Sequence, residues 1–373
     1  MTNQFETSKK KCRLLYLVGQ LGPGGLERQL FYLLQAMDRQ HYLPLVVVWN
    51  YREDDIYVRQ IRDLGVQVVA LPQTPWGVLK LLAFRKFVKL VQPEVIHSYC
   101  FYTNFAAYWG GVLIRVVTVG ALRSDFTREK KNLGLVLGGL SARWPNTHIS
   151  NNTMAAENIK KTRSIFVPKK LFVVRNGLDL QKFRYVNLSI FQKARILAVG
   201  SLLPVKRWDR LIESAADLKR DGYDFLVRIV GDGPLRFSLE KQVEKFGLTE
   251  HVTFLGHRDD IQDLLADSRF LAHTSDCEGC PNVVLEAMAC GRAVVATAVG
   301  DIPFLIDNDK TGFVVNKDDH ATFTQKMGVL VNDIDLCRRM GETGRAKAEK
   351  EFGLDRLVSE TLGVYAAAGW KDY

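Results

Sequence analysis

The sequence lacks any run of about 18 uncharged apolar residues, so it predicts no membrane-spanning helix. Its start, MTNQFETSKKKCRLLYLVGQ, also lacks the long apolar core and the cleavage site of a signal peptide, and RLLYLV is typical of a first buried strand. Cysteine is sparse, since six cysteines are scattered over 373 residues. Without a secretion signal, this pattern favours reduced thiols in a cytoplasmic protein.

Acidic residues are scarce in the first half of the chain. Residues 1–185 carry 27 Lys and Arg against 12 Asp and Glu, a net charge of +15, whereas residues 186–373 carry 24 against 29, a net charge of −5. The asymmetry indicates an anionic partner for the first half, such as an anionic membrane or a phosphorylated lipid. None of the standard nucleic-acid-binding motifs is present, so we expect no nucleic-acid partner.

Short Val-, Ile- and Leu-rich runs alternate with helical patterns, which is typical of parallel strands joined by crossover helices. The predicted strands are 13–18, 43–48, 66–71, 95–97, 116–122, 147–150 and 171–175, then 195–199, 225–230, 252–255, 270–272, 293–296 and 312–315. The rhythm breaks at RNGLDLQKFRYVNLSIFQKA, residues 175–194. We therefore expect an α/β protein with two doubly wound, Rossmann-like domains facing each other across a cleft, 1–185 and 186–353. A last helix within 354–373 is expected to pack back toward the first domain.

Two glycine-containing loops follow predicted strands, at the edge where open α/β sheets bind ligands. In VGQLGPGGLERQL, Gly22, Gly24 and Gly25 separate the first strand from a helix. A phosphate at the helix start and a plain tight turn explain this loop equally well. VGDGPLR places Gly231 and Gly233 in a similar turn, which fits either a ligand loop or a structural one. Neither a dinucleotide fingerprint nor a P-loop is present.

A third loop, in ILAVGSLLPVKRWDRLI, places Gly200 and Ser201 after a strand and Lys206 and Arg207 before a helix. Basic side chains at the carboxyl end of a strand are suited to hold a diphosphate. A solvated surface lysine is the alternative interpretation of Lys206.

The stretch SDCEGCPNVVLEAMACGR, residues 275–292, combines a loop with a short predicted helix. Pro281 is a favoured start and Gly291 a favoured stop, which predicts a helix over 282–290 whose first amide groups suit an anion. Glu278 lies just before this helix, and Glu286 lies just over one turn into it. The two carboxylates are therefore expected at different depths along one ligand.

Three other interpretations of this stretch remain open. Cys277 and Cys280 form one C-x-x-C pair, but a structural zinc site needs four ligands and typically two such pairs, and His273 and Cys290 would complete a set only by accident of folding. A glycosidase-like carboxylate pair needs a spatial separation that spacing in sequence does not supply. A core helix with incidental glutamates is also possible, although an unpaired buried carboxylate is costly.

EGCPNVVLEAMACGRAVVAT closely resembles the glutamate–seven–glutamate motif of family 4 retaining glycosyltransferases, which have the GT-B fold. GGLER, PEVIHS, VRNGLD, VGSLLPVKR, VGDGPLR and FLG follow in the order and spacing of that family. Together these segments extend the resemblance over roughly residues 13–320. The ordered series is more specific than any single motif.

The resemblance implies that the second domain binds a nucleoside-diphosphate sugar. Glu286 would then hold the ribose, Glu278 would contact hydroxyls of the reacting sugar, and Lys206 would neutralise the leaving diphosphate. The resemblance also implies a set of supporting donor-site residues, namely Gly200, Ser201, Arg207, Gly231, Asn282 and Val283, together with Gly24 and Gly25 from the first domain. His97, Tyr99 and Arg123 would lie near the acceptor or the reacting sugar.

The sequence departs from the family pattern at several of these positions. Ser201 stands where the family often has arginine, so Arg207 is expected to supply the missing charge. His97-Ser98-Tyr99 replaces a common H-x-H, which places Tyr99 at the position of the second histidine. Asp301 and Phe304 stand where glycine and glutamate are common, and this difference is expected to alter the sugar that is accepted.

The implied activity is transfer of a sugar, with retention, to a glycan or lipid-diphosphate-linked acceptor in cell-envelope or exopolysaccharide synthesis, without a metal or other cofactor. A GT-B epimerase, a sugar phosphorylase and a non-catalytic nucleotide-sugar-binding protein are the alternatives. The segment 75–91 has two interpretations: a basic amphipathic helix at an anionic membrane, or the more common crossover helix with a solvated face. The predicted location is therefore cytoplasmic, with peripheral attachment at the inner face of the membrane as the first of these implies.

Overall fold

The structure is a computed structural model that describes residues 12–74, 76–123, 126–189 and 192–371. Residues 1–11, which belong to the segment predicted not to be a signal peptide, lie outside the described residues. The chain forms two compact units. The first contains the described residues up to Gly177 and those from Leu354 onward, and the second spans Leu178–Gly353.

In the described part of the first unit, seven parallel strands form one sheet. They are β1 (Cys12–Val18), β2 (Tyr42–Val48), β3 (Gln67–Ala70), β4 (Val95–Ser98), β5 (Val117–Leu122), β6 (Thr147–Ser150) and β7 (Lys170–Val173). Their order across the sheet is β3-β2-β1-β4-β5-β6-β7. The direction of winding therefore reverses between β1 and β4, which makes the loops after these two strands neighbours.

Helices cover both faces of this sheet: α1 (Gly25–Ala36), α2 (Ile56–Asp63), α3 (Gly77–Val91), α4 (Asn104–Gly111), α5 (Phe126–Asn132), α6 (Leu135–Arg143) and α7 (Thr153–Lys161). Alternate residues of β1 enter different cores. Leu14 and Tyr16 pack with residues of α1, whereas Leu15 and Leu17 pack with residues of α3 and α4. Because both faces are buried, the strand is apolar from Leu14 to Val18 and shows no polar alternation there.

The second unit repeats this plan with six parallel strands among its described residues. They are β8 (Ala194–Val199), β9 (Phe225–Val230), β10 (Val252–Gly256), β11 (Phe270–His273), β12 (Ala293–Thr297) and β13 (Gly312–Val315), in the order β10-β9-β8-β11-β12-β13. The helices are α8 (Trp208–Arg220), α9 (Arg236–Lys245), α10 (Ile261–Ala266), α11 (Asn282–Ala289), α12 (Ile302–Leu305), α13 (His320–Asn332) and α14 (Ile334–Glu351). Winding reverses between β8 and β11.

The last helix, α15 (Leu354–Ala367), belongs to the first unit. Its buried side chains Leu357, Val364 and Tyr365 share a core cluster with Leu14 and Tyr16 of β1. None of the helices in the described ranges combines the length and the apolarity that a membrane span requires.

Candidate functional site

The loops after β8 and β11 lie side by side at the point where the winding of the second sheet reverses. β8 pairs with β11 through Ile196 and Leu197, so both strands end at the same edge. The backbone amide of Asp276 donates to the carbonyl of Val205 at 2.9 Å, and the hydroxyl of Thr274 donates to the carbonyl of Lys206 at 2.9 Å. Open α/β sheets bind ligands at such reversal points. The topology therefore joins two segments that lie about 70 residues apart in sequence.

Lys206 and Glu278 form an ion pair at this edge. Lys206 ends a short 3-10 turn, Pro204–Lys206, and its Nζ donates to Oε1 of Glu278 at 2.7 Å. The same oxygen accepts from the Ser275 hydroxyl at 2.6 Å and lies 3.2 Å from Nε2 of His273. The side chain of Lys206 is only 22% exposed and that of Glu278 only 13% exposed. The interpretation of Lys206 as a solvated surface lysine is therefore wrong.

The carboxyl group of Glu278 is ionised at neutral pH in spite of its burial. Burial alone would raise its pKa, but the hydrogen bond from His273 and the positive charge of Lys206 outweigh that effect and hold the pKa well below its usual range. A buried carboxylate of this kind accepts hydrogen bonds and does not donate a proton. Ser275 and His273 were not singled out as partners of Glu278 from the sequence, although both stand where β11 ends.

The helix α11 begins shortly after Glu278 in the chain, at Asn282. Pro281 precedes it in extended backbone, and Asn282 and Val283 are its first two residues, as the proline predicts. The first-turn amides form the positive end of the helix and favour an anion there. Glu286 lies one turn further along, and its side chain is almost completely buried. The predicted helix 282–290 is thus present, one residue shorter at its end.

Two glycines keep the backbone of this edge closely packed. Gly231 has φ +133°, and a Cβ there would lie 2.0 Å from the carbonyl oxygen of Gly200. Gly300 has φ +54°, and a Cβ there would lie 2.4 Å from the carbonyl oxygen of Glu278. The amide of Asp301 also donates to the carbonyl of Gly279 at 2.9 Å. The loop after β12 therefore packs against the backbone of the Glu278 loop. No sequence pattern predicted this role for Gly300.

The other predicted donor-site residues of this edge have structural partners of their own. Arg207 donates to Asp209 and to Oδ2 of Asp276, and these hydrogen bonds raise its pKa. Asp276 also accepts from Arg210 at 3.1 Å, so two guanidinium groups share two carboxylates. The carbonyl of Ser201 accepts from the indole of Trp208 at 3.0 Å. Among the described residues, no group of three His, Cys, Asp or Glu side chains is placed to hold a metal ion. The C-x-x-C pair of Cys277 and Cys280 belongs to the described residues and forms no such group.

In the first unit, His97, Tyr99 and Arg123 form one stack. His97 is fully buried, its Nδ1 lies 2.7 Å from the hydroxyl of Tyr365, and its ring lies 4.9 Å from that of Tyr99. The Arg123 guanidinium lies 4.4 Å from the centre of the Tyr99 ring. Burial, reinforced by the charge of Arg123, lowers the pKa of His97 well below its usual range, so the imidazole is neutral. Of the three, only Arg123 reaches the cavity described next.

This cavity of about 460 Å³ lies at the reversal point of the first sheet. Its lining combines two carboxylates, one guanidinium, two amides and two aromatic rings, contributed by Glu27, Glu129, Arg123, Gln20, Asn132, Phe101 and Tyr102. Gly24 caps α1, and Gly25, which was predicted to precede the helix, is its first residue. A Cβ at Gly24 would lie 2.0 Å from the carboxylate of Glu27, whose pKa is raised by burial. A carboxylate thus already lies against the start of α1.

Comparisons with known proteins agree with the resemblance seen in the sequence. Residues 182–347 match the family model described as glycosyl transferases group 1. N-acetyl-alpha-D-glucosaminyl L-malate synthase of Bacillus anthracis is 29% identical over 201 residues, 54% of this chain and 51% of that protein. The putative colanic acid biosynthesis glycosyltransferase WcaL of Escherichia coli K12 is 30% identical over 210 residues, 53% of this chain and 52% of that protein. The chain thus spans about half the length of these curated relatives.

Among solved structures, Anabaena Alr3699/HepE in complex with UDP-glucose matches with a TM-score of 0.80 and 20% identity, over 95% of this chain and 99% of that one. At this level of identity the match establishes the fold. The predicted α/β class of GT-B type, with two Rossmann-like domains, is therefore confirmed.

Proposed function

We propose that the protein, whose residues 182–347 match the glycosyl transferases group 1 model, moves a sugar from a nucleoside-diphosphate sugar to a hydroxyl group of a glycan or lipid-linked acceptor, with retention at the anomeric carbon. The ion pair of Lys206 and Glu278 beside the start of α11 is the observation that carries the proposal. It places a cation, helix-end amides and an ionised carboxylate at one sheet edge. UDP-glucose in the Anabaena protein and colanic acid in the name of WcaL favour a nucleotide donor and polysaccharide synthesis.

The donor is proposed to bind with its diphosphate between Lys206 and the first-turn amides of Asn282 and Val283. Glu278 then accepts hydrogen bonds from hydroxyls of the sugar, because its depressed pKa keeps it ionised. Glu286 binds the ribose one turn deeper. Before the donor arrives, the charge of Lys206 is neutralised by Glu278. When the nucleotide sugar binds, Lys206 contacts its diphosphate as a second anion, and Glu278 accepts hydrogen bonds from the sugar hydroxyls.

In the proposed reaction, the bond between the anomeric carbon and the diphosphate oxygen breaks, and its electron pair stays on that oxygen. Lys206 and the α11 amides stabilise the charge that develops there. The acceptor hydroxyl forms the new bond on the face that the diphosphate leaves, and its proton passes to the departing diphosphate. The lysine and the amide dipoles supply the positive charge, so we propose that no metal or other cofactor is required. EDTA should then leave turnover unchanged.

The acceptor is proposed to bind to the first unit, whose cavity lined by Arg123 and Glu129 has the mixed polar and aromatic lining that hydroxyl-rich ligands favour. The net charge of +15 on residues 1–185 also favours an anionic surface or a lipid diphosphate as partner. We therefore propose a cytoplasmic protein that works at the inner face of a membrane.

The donor is identified by measuring thermal shifts of the protein with a panel of nucleoside diphosphates and nucleotide sugars. Calorimetry then gives the affinity for the compounds that stabilise it. With that donor and an acceptor mixture, Glu278→Gln and Lys206→Gln should each lower turnover about 100-fold or more, because each removes a charge that acts in the transition state. Glu278→Gln should keep the affinity for the nucleoside diphosphate, and Glu244→Gln on the exposed side of α9 should match the wild type.

The same experiment separates the alternative functions. A protein that binds the donor but turns nothing over is a nucleotide-sugar-binding protein. Conversion of the donor sugar without an acceptor indicates an epimerase, and an inverted anomeric centre in the product, seen by proton NMR, contradicts retention. Full activity of Lys206→Gln would remove the basis of the proposal.

A further inference from the structure

The helix α3 packs on the first unit through one side of its surface. Lys80, Phe84 and Val88 are its buried side chains. Phe84 and Val88 enter the core under β1, and Nζ of Lys80 donates to the carbonyl of Trp49 and to Oδ1 of Asn50, both at 3.0 Å. These residues recur every four positions and therefore define one side of the helix. The opposite side faces outward.

The outward side of α3 is mainly apolar. The side chains of Leu79 and Leu82 are each 51% exposed, Val78 is 67% exposed, Leu90 is 80% exposed, and Trp76, just before the helix, is 70% exposed. The exposed side of a helix in a globular protein is normally polar, because apolar surface there gains nothing from folding. The helix α3 connects β3 to β4 as a crossover helix does, but its outward side carries more apolar surface than an ordinary solvated face.

The remaining exposed positions on that side are basic. Lys86 and Lys89 lie among the leucines, since Val78, Lys89, Leu82, Lys86, Leu79 and Leu90 fall within an arc of about 120° at 100° per residue. We call these six residues the α3 face. The segment 77–91 contains four basic residues and no aspartate or glutamate. The α3 face thus combines apolar side chains with charge of one sign.

A second exposed leucine adjoins this helix. Arg85 donates to the carbonyls of Trp109 and Val112 at 2.8 and 3.0 Å, which ties the end of α4 to α3. Leu113 follows directly, is 95% exposed, and has φ +61°. A leucine in left-handed backbone with no packing is unfavourable in water. The next exposed side chain, Arg115, is again basic.

We propose that the α3 face, together with Leu113, docks on an anionic lipid surface. The leucines and Val78 enter the boundary between head groups and acyl chains, and Lys86 and Lys89 bind the acidic head groups. Apolar area and basic charge are the two signals that hold an interfacial helix on such a membrane. The inference rests on the proposed function for its biological sense, because a lipid-linked acceptor is presented at such a surface, but its test needs no catalytic activity.

Co-sedimentation with vesicles tests the proposal on the full chain. One set of vesicles contains phosphatidylcholine alone, and the other contains phosphatidylcholine mixed with an equal amount of phosphatidylglycerol. The wild type should bind the mixed vesicles, and added salt should weaken that binding. K86Q/K89Q should bind them about 30-fold more weakly, since each lysine contributes to attraction at an anionic surface. L79Q/L82Q should bind at least about tenfold more weakly, because apolar burial is lost.

Matched controls come from α9 of the second unit, where Lys241 and Lys245 are also exposed one turn apart and Phe237 is an exposed aromatic side chain. K241Q/K245Q and F237Q should bind vesicles as the wild type does. Circular dichroism and cooperative urea unfolding in vesicle-free buffer show that each variant is folded.

Two results would overturn the docking surface. One is absence of wild-type binding to the mixed vesicles. If the wild type then forms a dimer in solution and L79Q/L82Q abolishes it, the α3 face is assigned to a second copy of the chain. The other is equal binding by K86Q/K89Q, L79Q/L82Q and the wild type. If the wild type bound the mixed vesicles but bound no nucleotide sugar, only the proposed function would be contradicted.

Discussion

Glu278 is the residue on which the proposed chemistry of the second unit depends. A single carboxylate oxygen accepts from Lys206 and Ser275 and lies beside His273, so the cost of burying the charge is offset by charged and hydrogen-bonding partners. The position of this carboxylate depends in turn on Gly300, because the backbone of the Glu278 loop lies against the α-carbon of that glycine. Substitutions at the glycine therefore test the geometry of the carboxylate without changing any charge.

Gly300→Ala should lower turnover at least about tenfold and cost about 3 kcal/mol of unfolding free energy, since the new methyl group would lie 2.4 Å from the carbonyl oxygen of Glu278 and the backbone there is left-handed. Gly222→Ala is the matched control. Its φ is +80°, but no atom lies within 4 Å of an added Cβ, so we expect a cost of about 1 kcal/mol and normal turnover. Steady-state kinetics and urea unfolding measure both. Equal behaviour of the two variants would show that the Gly300 contact has no bearing on the site.

At the scale of the elements, the last helix, α15, completes the core of the first unit. Leu357 packs against Gly177, where a Cβ would lie 2.8 Å from its Cδ2. The hydroxyl of Tyr365 lies 2.7 Å from Nδ1 of His97, and the ring of His97 lies against that of Tyr99. The helix thus determines how the stack of His97, Tyr99 and Arg123 is held, although Tyr365 lies 268 residues from His97 in sequence.

Leu357→Ala should lower the unfolding free energy of the first unit by about 3 kcal/mol, because it removes a buried leucine and leaves a cavity. Leu362→Ala on the same helix is the control, and its partly buried side chain should cost about 1 kcal/mol. Tryptophan fluorescence during urea unfolding reports mainly on the first unit, which contains Trp49, Trp76, Trp109, Trp144 and Trp370. A cost for Leu357→Ala no greater than the control would show that α15 is not part of this core in solution.

At the scale of the whole molecule, the two units have separate sheets and separate cores, and the charge is divided unevenly between the two halves of the sequence. The first unit also contains two fully buried histidines. Burial lowers the pKa of His148 to about 4, and it lowers that of His97 as well. Nε2 of His148 bonds to the carbonyl of Ser141 at 3.2 Å, which suits a neutral imidazole that donates through that nitrogen.

The stability of the first unit should therefore fall as the pH drops from 7 to 5. In this range the unfolded histidines bind protons, with pKa values near 6.5, whereas the folded ones do not, so protonation favours the unfolded state. His148 alone should account for a loss of about 2 kcal/mol. Urea unfolding at both pH values should show this loss reduced by about that amount in His148→Gln and unchanged in His257→Gln, which alters an exposed histidine. An unreduced loss in His148→Gln would contradict the assignment.

The sequence by itself determined the elements of both sheets. Runs rich in Val, Ile and Leu mark most of the thirteen strands of the described residues, because strands buried on both faces favour apolar side chains, and β6 is an exception with Ile149 as its one aliphatic residue. Pro281 and Gly291 likewise mark the limits of α11, since proline suits the first turn and glycine the left-handed residue after the last. The spacing of Glu278 and Glu286 relative to that helix followed directly.

Only the tertiary structure decided which side chains meet and which face outward. His273 and Ser275 join Lys206 on Glu278 because β8 pairs with β11, and strand order is a property of the sheet that no local run of residues specifies. The expected role of Arg207 at the diphosphate stays a prediction, and the structure adds its hydrogen bonds to Asp209 and Asp276, which no sequence pattern indicated. The rotation of α3 is likewise set by the core that receives Phe84 and Val88. That packing, and not the pattern of the helix itself, leaves its leucines and lysines on the surface.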